Sequence, residues 1–530
     1  MLASRIYFDH HYSVRSLVRD DARIDVIGSV HGEVRPELVL ARLLLERGIL
    51  QDPQTIHRVL RSLRGNFCVV IQDRNHCLLA ATDKIRSYPL FFGIKNHELV
   101  VGNDCPRMVS MMQSVKNLLS FREFQMAGYV TGSKTLYRDL SQIRAGEVLL
   151  FDGTSARVLP YYTYYCQEVF SDSREALKER LHEVSVSIFE RLIERLHGRP
   201  VVVPLSAGND SRLVVSLLKY LGYPRIQTFT FGIPGNHEAR WAKDIAHQLG
   251  VPWVFVPYTR RMWRELFYSS LYESYSQLTP SLITVPFLLD FFALHGLSTR
   301  DHLPKDAVLI NGLSGDFVSG AHVSSEIFAR PYIQKDDLID HIFDRHYVLW
   351  RHLCTPKNRA QMRKNIEHIF PATLPERVTQ EEAVKQYELW EWSCRQTTFV
   401  LSSQRAYDYF GLSWELPLWD DAYLDFWSRV SAQDKMQQAL YEDYLTTYDY
   451  GRVFRDVDYY RYLSPAMMRY LQGIFARFGP WGVRSAKILL SYWQDSSYYY
   501  AIYSYLDYLK QASSHRSPIS YHVKYVSERL

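Results

Sequence analysis

The sequence predicts a two-part chain of the α/β and α+β classes, in which an antiparallel, β-rich N-terminal domain precedes a domain built on a parallel sheet. Short β-prone runs, separated by Asp, Asn, Gly and Pro, occupy residues 24–162. Strand-like and helix-like segments then alternate over residues 173–257, as in a parallel sheet covered by helices. From about residue 382 the pattern is helical and rich in tyrosine and tryptophan. The predicted domains are residues 1–168 and 169–530.

The composition excludes several classes of protein. A chain of 530 residues is too long for a single core. Lys and Arg outnumber Asp and Glu by only 62 to 57, which does not indicate nucleic-acid binding. The six cysteines are scattered without a CxxC pair, which predicts reduced thiols in a cytoplasmic protein. No stretch approaches ~20 uncharged apolar residues and no signal-peptide core is present, so we expect neither a membrane span nor secretion.

The N-terminal domain is predicted from six short runs that are rich in apolar and β-branched residues and are bounded by turn residues. These runs span residues 24–27, 68–72, 77–82, 90–93, 99–102 and 147–151.

The segment 201–211, VVVPLSAGNDS, is the centre of the predicted parallel sheet. A buried, valine-rich strand breaks at a turn of small residues, and a helix-like pattern follows over residues 212–221. A strand, a small-residue loop and a helix N-terminus together make an anion site. No Gly-Lys-Ser/Thr follows, so this is not a Walker loop. Because capped strand–turn–helix units also occur without phosphate, this segment alone leaves both interpretations open.

The loop supplies the groups that a magnesium–phosphate complex needs. Gly208 lets backbone N–H groups approach phosphate oxygens, and Ser206 and Ser211 add hydroxyl donors. Asp210 can hold the accompanying Mg²⁺. The pattern Ser-x-Gly-x-Asp-Ser resembles the PP-loop of ATP pyrophosphatases, which grips the pyrophosphate part of ATP. The resemblance implies that ATP and Mg²⁺ bind here.

A second strand and helix are predicted directly after this unit. Residues 225–232 form the strand, residues 236–249 the amphipathic helix, and residues 253–257 a third strand. Nucleotides bind at the carboxyl ends of such strands. Phe231 and Gly232 are therefore predicted to lie against the adenine.

A glycine-rich loop follows the next predicted strand, residues 308–311. This loop resembles the second signature of asparagine synthetase-like enzymes, in which Gly312, Gly315 and Asp316 match. The resemblance implies that Asp316 shares the Mg²⁺ with Asp210, so that both are candidate catalytic and metal-binding residues. Two carboxylates at one phosphate site suit a magnesium–pyrophosphate complex.

The sequence departs from this family at three points of the site, of which Leu313 belongs to the acceptor side. The family has glutamates at the positions of Leu313 and Phe317, so we expect an altered acceptor pocket. Arg405 matches the family segment beside the active site and is a candidate catalytic residue, and residues 411–426 resemble the turn that follows it. No lysine lies between residues 435 and 487 to complete the site. The arginines where it was sought are Arg452, Arg455 and Arg461.

The N-terminal domain also resembles a known domain. Residues 64–92 resemble the core hairpins of class II glutamine amidotransferase domains, and residues 136–162 resemble the end of that domain. Such domains attack glutamine with an N-terminal cysteine whose α-amine serves as the base. This sequence starts Met-Leu-Ala-Ser, and its first cysteine, Cys68, lies inside a predicted strand. Ser4 lacks a thiolate, so we expect no glutaminase activity.

The family resemblance implies an ATP-dependent ligase that activates a carboxylate as an acyl-adenylate, releases pyrophosphate, and transfers the acyl group to ammonia or an amine. The implied partners are a small-molecule or peptide carboxylate and the amine donor, in polysaccharide or specialised metabolite synthesis. Asparagine synthesis, lasso-peptide or β-lactam closure, and a non-catalytic nucleotide-binding scaffold remain alternatives. The oligomeric state, a homodimer or a monomer, remains open.

Overall fold

The computed structural model describes residues 3–19, 22–33, 35–44, 52–74, 77–279, 281–455, 491–492, 495 and 498–530. No helix in these ranges is long and apolar enough to cross a membrane.

The N-terminal part consists of two sheets. One is antiparallel and six-stranded in the order β10-β9-β5-β4-β3-β2, and the other is four-stranded in the order β1-β7-β6-β8, with β1 parallel to β7. Their strands are β1 (Ala3–Tyr7), β2 (Val14–Arg19), β3 (Ala22–Val30), β4 (Gly65–Asp73), β5 (Leu78–Thr82), β6 (Leu90–Lys95), β7 (Glu98–Gly102), β8 (Ser141–Ile143), β9 (Glu147–Phe151) and β10 (Ala156–Pro160).

A parallel five-stranded sheet in the order β13-β12-β11-β14-β17 forms the second part, with a separate hairpin of β15 and β16. Its strands and the hairpin are β11 (Val201–Pro204), β12 (Ile226–Gly232), β13 (Trp253–Pro257), β14 (Val308–Ile310), β15 (Tyr332–Gln334), β16 (Arg377–Thr379) and β17 (Ser413–Glu415). The first three residues of β11 are fully buried valines, which is the pattern of a central parallel strand. The chain leaves β11 towards β12 on one side and returns to β14 on the other. The carboxyl end of β11 is therefore the switch point of the sheet, where α/β proteins bind ligands.

Helices surround both parts. They are α1 (Pro36–Leu44), α2 (Pro53–Ser62), α3 (Cys105–Met112), α4 (Leu118–Ala127), α5 (Arg174–Leu196), α6 (Asn209–Tyr220), α7 (His237–Gln248), α8 (Arg260–Phe267), α9 (Ser270–Leu278), α10 (Leu289–Thr299), α11 (Gly315–Val318), α12 (Ser325–Phe328), α13 (Lys335–His346), α14 (Pro356–Glu367), α15 (Gln380–Glu391), α16 (Arg405–Tyr409), α17 (Asp421–Ser428), α18 (Ala432–Lys435), α19 (Ala439–Tyr448), α20 (Tyr505–Gln511) and α21 (Ile519–Ser527).

The predicted architecture is confirmed: an antiparallel N-terminal sheet is followed by a parallel sheet and many helices. The predicted strands 147–151 and 253–257 have the observed bounds. Each of the other predicted strands lies inside an observed strand or overlaps one and extends beyond one of its ends. Seven strands were not predicted, namely β1, β2, β8, β10, β15, β16 and β17. A domain boundary between residues 168 and 169 stays a prediction; the N-terminal sheets end at Pro160 and α5 begins at Arg174.

Candidate nucleotide and metal site

A cavity of about 780 Å³ lies at the carboxyl ends of β11, β12 and β14. Its lining includes two hydroxyls from the loop after β11, two aspartates, and the aromatic side chain near the end of β12. The predicted residues that line the cavity are Ser206, Gly208, Asp210, Ser211, Phe231, Gly312 and Asp316. The predicted residues Gly232, Gly315 and Arg405 are not among its lining.

The loop after β11 is held by its own hydroxyls. The Ser206 N–H donates to Ser211 Oγ at 3.0 Å, and the Gly208 N–H donates to Ser206 Oγ at 3.0 Å. Gly208 is the N-cap of α6, and no side chain caps this helix. The exposed N-terminus of α6 therefore presents its backbone donors and the positive end of its dipole to the cavity.

Asp210 is the group on which the two loops converge. Its Oδ1 accepts from the Tyr441 hydroxyl at 2.8 Å, and its Oδ2 accepts from the Asp316 N–H at 2.9 Å. Burial and then the negative charge of Asp316 raise the pKa of Asp210 to about 7. Two carboxylates that repel each other in this way favour a bound cation between them.

Asp316 is held in turn by a half-buried histidine. Asp316 Oδ2 lies 3.0 Å from His322 Nε2, and His322 Nδ1 lies 2.6 Å from Oε1 of the fully buried Glu391. Burial alone would lower the pKa of His322, but the charge of Glu391 and the hydrogen bonds to both carboxylates raise it to about 9. Burial would raise the pKa of Asp316, but the hydrogen bond and charge of His322 hold it below its usual value.

Two glycines of the second loop make room for Asp210. A Cβ on Gly315 would lie 2.4 Å from Asp210 Oδ1, and a Cβ on Gly312 would lie 2.8 Å from the Asp210 backbone. Any side chain at either position would force the two loops apart. Gly232 instead has a φ of +131° at the end of β12, where its carbonyl accepts from the Tyr258 N–H at 2.7 Å.

The donor set fits Mg²⁺. Asp210 and Asp316 offer only oxygen, and Mg²⁺ is usually held by one or two carboxylates together with water and substrate phosphate. In the described part of the chain, a group of three possible metal ligands occurs away from the cavity, at Asp9, His10 and His11. Their possible ligand atoms all lie within 4.8 Å of one another. The site at Asp210 would therefore supply two protein ligands to the ion and leave its other positions to water and phosphate.

Sequence reasoning missed one cation in the lining. Arg212 is 2% exposed, and it donates to the Val453 carbonyl at 2.8 Å and to the Gly208 carbonyl at 3.3 Å. Its guanidinium also lies 5.0 Å from the ring centroid of Phe454. The sequence could have indicated this residue, because a positive charge in the first turn of a helix is disfavoured by the helix dipole and so calls for an explanation.

Asp290 is a second lining residue that the sequence reasoning missed. Its Oδ2 accepts from the Tyr407 hydroxyl at 2.8 Å, and that hydroxyl accepts from Asn311 Nδ2 at 2.8 Å. Burial raises the pKa of Asp290 to about 6. A single acid inside an apolar helix was the signal that could have found it.

The structure contradicts the placement of Arg405 in the active site. Arg405 is 1% exposed, its NH1 donates to the Tyr12 hydroxyl at 3.1 Å, and its NH2 donates to the Ser87 carbonyl at 2.7 Å. The same nitrogen lies 3.0 Å from Asp408 Oδ2. Arg405 therefore joins α16 to the N-terminal sheets and has no access to the cavity.

Neither Lys435 nor the described arginines that were considered for the family lysine line the cavity. Lys435 is buried, with its Nζ 2.6 Å from Glu388 Oε2. Arg452 and Arg455 are not among the lining residues, and Arg461 lies outside the described residues. Leu313 lines the cavity, as expected from its place in the second loop.

Neither Ser4 nor Cys68 has the surroundings of an activated nucleophile. Ser4 is 7% exposed in β1, where its hydroxyl accepts from Gln72 Nε2 at 2.6 Å. Cys68 is fully buried in β4, and burial raises its pKa far above the usual range. A buried thiol of high pKa is inert.

The comparison with known proteins agrees with this geometry. Residues 194–453 match the family model for asparagine synthase. No curated protein matches the chain. The matched stretch runs from the end of α5 to just beyond α19, and so contains the parallel sheet and both acidic loops. Residues 194–453 therefore form an asparagine synthase domain, and the members of this domain family are ATP-dependent, amide-forming ligases.

Proposed function

We propose that the protein binds ATP and Mg²⁺ in the cavity at the switch point and forms an amide by way of an acyl-adenylate. The observation that carries this is the convergence of Asp210 and Asp316, from neighbouring strand ends, beside an uncapped helix N-terminus. The loop from Ser206 to Ser211 would bind the pyrophosphate part of ATP, and Phe231 and Gly232 would flank the adenine. Mg²⁺ on the two aspartates would neutralise the phosphate charge.

In the proposed reaction, a carboxylate oxygen of the substrate attacks the α-phosphorus, and the bond between the α- and β-phosphates breaks. An amine nitrogen then attacks the acyl carbon, AMP leaves, and the amine loses its proton. Arg212 adds positive charge to the lining where pyrophosphate develops charge. The acceptor side has Leu313 where the family has a glutamate, which supports an acceptor other than that of asparagine synthesis. A sugar acid or another specialised metabolite is the carboxylate we propose.

The test compares Asp210→Asn and Asp316→Asn with the wild type and with the control Asp425→Asn, an exposed residue on α17. The readouts are Mg²⁺-dependent ATP binding and pyrophosphate release with a panel of carboxylates and amines. We expect each loop variant to lose ~10²–10³ in rate, by analogy with the loss of one preorganised contact. Wild-type ATP binding in both loop variants would refute the site. ATP binding without pyrophosphate release for any acceptor would support the alternative of a nucleotide-binding scaffold.

We also propose that ammonia or a substrate amine, and not glutamine, supplies the nitrogen. Two observations support this: Cys68 is fully buried, and the buried Ser4 hydroxyl accepts a hydrogen bond from Gln72. Purified protein should release no glutamate from glutamine above background. Release of glutamate that survives both Ser4→Ala and Cys68→Ala would refute this proposal. A cytoplasmic location, supported by the six free cysteines, and a homodimer stay predictions.

A further inference from the structure

A second cavity, of about 580 Å³, shares no lining residue with the nucleotide cavity. It lies between α4, the short helix Arg351–Leu353, α20 and α21, and we call it the C-terminal cavity. Part of its wall is apolar: Trp350 and Val523 are buried, and Phe121 and Leu353 are half-buried. A wall of this kind suits a flat or apolar ligand body.

The rest of the lining carries more positive than negative charge. Arg122 makes no ion pair or hydrogen bond within the described part of the chain. Lys524 Nζ lies 3.6 Å from Glu528 Oε1. Glu528 is the one acidic residue among the described residues that line the cavity. Lys510 also lines the cavity and pairs with the exposed Asp507 at 2.8 Å. Within the described ranges, no carboxylate pairs with Arg122 at the cavity wall.

His352 lies at the same wall as these cations. Its Nδ1 lies 2.6 Å from the Ser514 hydroxyl, so the ring is held in place at the wall. Burial and then the charges of Arg122 and Lys524 lower the pKa of His352. Cations from α4 and α21 therefore act on one point, although they are far apart in the sequence.

We propose that the C-terminal cavity binds a small organic phosphate whose body is aromatic or apolar. The guanidinium of Arg122 matches the geometry of a phosphate and can bind it through two parallel hydrogen bonds. Lys524 adds a second positive charge, and the Ser514 hydroxyl is a further polar group at the wall. The ring of Phe121 would contact the body of the ligand. This site is separate from the proposed ATP site and does not depend on it.

The test is isothermal titration calorimetry of the full chain with phenyl phosphate, with inorganic phosphate and phenol as comparison ligands. We expect one saturable site per chain that prefers phenyl phosphate to either comparison ligand by at least about tenfold. Arg122→Gln should weaken phenyl phosphate about tenfold, since it removes a charged hydrogen-bond donor. The matched control, Arg300→Gln, replaces an exposed arginine outside the cavity and should bind as the wild type does.

Three results would overturn the proposal. One is the absence of saturable binding of phenyl phosphate by the wild type. Another is equal affinity in Arg122→Gln and the wild type. The third is full competition by Mg–ATP whose own affinity is the same in Arg122→Gln as in the wild type, which would place the phosphate in the nucleotide cavity.

Discussion

At the residue scale, the candidate metal site depends on a chain of contacts that runs from Asp210 to Glu391. Asp316 links them, since its N–H donates to Asp210 and its carboxylate contacts His322. Arg395 NH1 donates to Glu391 Oε1 at 2.8 Å, so a second positive charge stabilises the buried end of the chain. Outer groups of this kind orient the carboxylate that would contact the metal ion.

Replacement of His322 tests whether this positioning matters. His322→Leu removes the contact with Asp316, whereas His322→Gln keeps a donor near the position of Nε2. We expect the leucine variant to lose ~10–100-fold in apparent Mg²⁺ affinity for ATP-dependent pyrophosphate release, and the glutamine variant to lose less. The measurement is the Mg²⁺ dependence of that release. Equal Mg²⁺ dependence in both variants and the wild type would mean that Asp316 needs no support.

The two aspartates could be predicted from the sequence because each lies in a local glycine-containing loop directly after a strand. His322 could not, because its orientation and its charge depend on Glu391, which is 69 residues away on another helix. Arg405 was misplaced for a similar reason. Its partners in the N-terminal part, Tyr12 and Ser87, are 393 and 318 residues distant, and no local pattern reports such contacts.

At the element scale, burial decided which strands could be predicted. The strands β5 and β9 are buried along their whole length, and their apolar runs stand out in the sequence. By contrast, β2 has no fully buried residue, and its Val18 is 76% exposed. It is held as a strand by its antiparallel pairing with β3, which local propensity does not reveal.

Helix α21 contains a buried histidine that should make stability depend on pH. His522 is fully buried, its Nε2 lies 2.9 Å from the Tyr272 hydroxyl, and its ring stacks on Tyr499. Burial lowers the pKa of His522 to about 3, against about 6.5 in an unfolded chain. The unfolded state therefore binds more protons between these two values, so the free energy of unfolding is full above pH 6.5 and falls as the pH is lowered.

The variant His522→Gln should remove this dependence. Between pH 7.5 and pH 5, protonation of His522 should lower the free energy of unfolding of the wild type by about 2 kcal/mol. The variant should not show this loss. The measurement is the urea midpoint at both pH values, with His237→Gln, at an exposed position on α7, as the control. Equal pH dependence in His522→Gln and the wild type would show that His522 is not held neutral.

At the scale of the whole molecule, charged side chains join the N-terminal sheets to the parallel-sheet part. Lys84 pairs with Asp421, and Trp392 Nε1 donates to the Lys84 carbonyl at 3.2 Å. Arg405 makes the deepest of these contacts, to Tyr12 and to the Ser87 carbonyl. The N-terminal part therefore contributes to the packing of the second part even without a reaction of its own.

Arg405→Met tests this structural role. The variant leaves Asp408, a buried carboxylate, without its cation, and breaking a buried pair in this way costs about 3–5 kcal/mol. We expect a lower apparent melting temperature, partly restored in Arg405→Met/Asp408→Asn because the second change removes the unpaired charge. Since Arg405 does not line the cavity, the affinity for Mg–ATP, measured well below the melting temperature, should stay within about twofold of the wild type. A variant that melts like the wild type but no longer binds Mg–ATP would return Arg405 to the active site and would contradict the structural role given to it here.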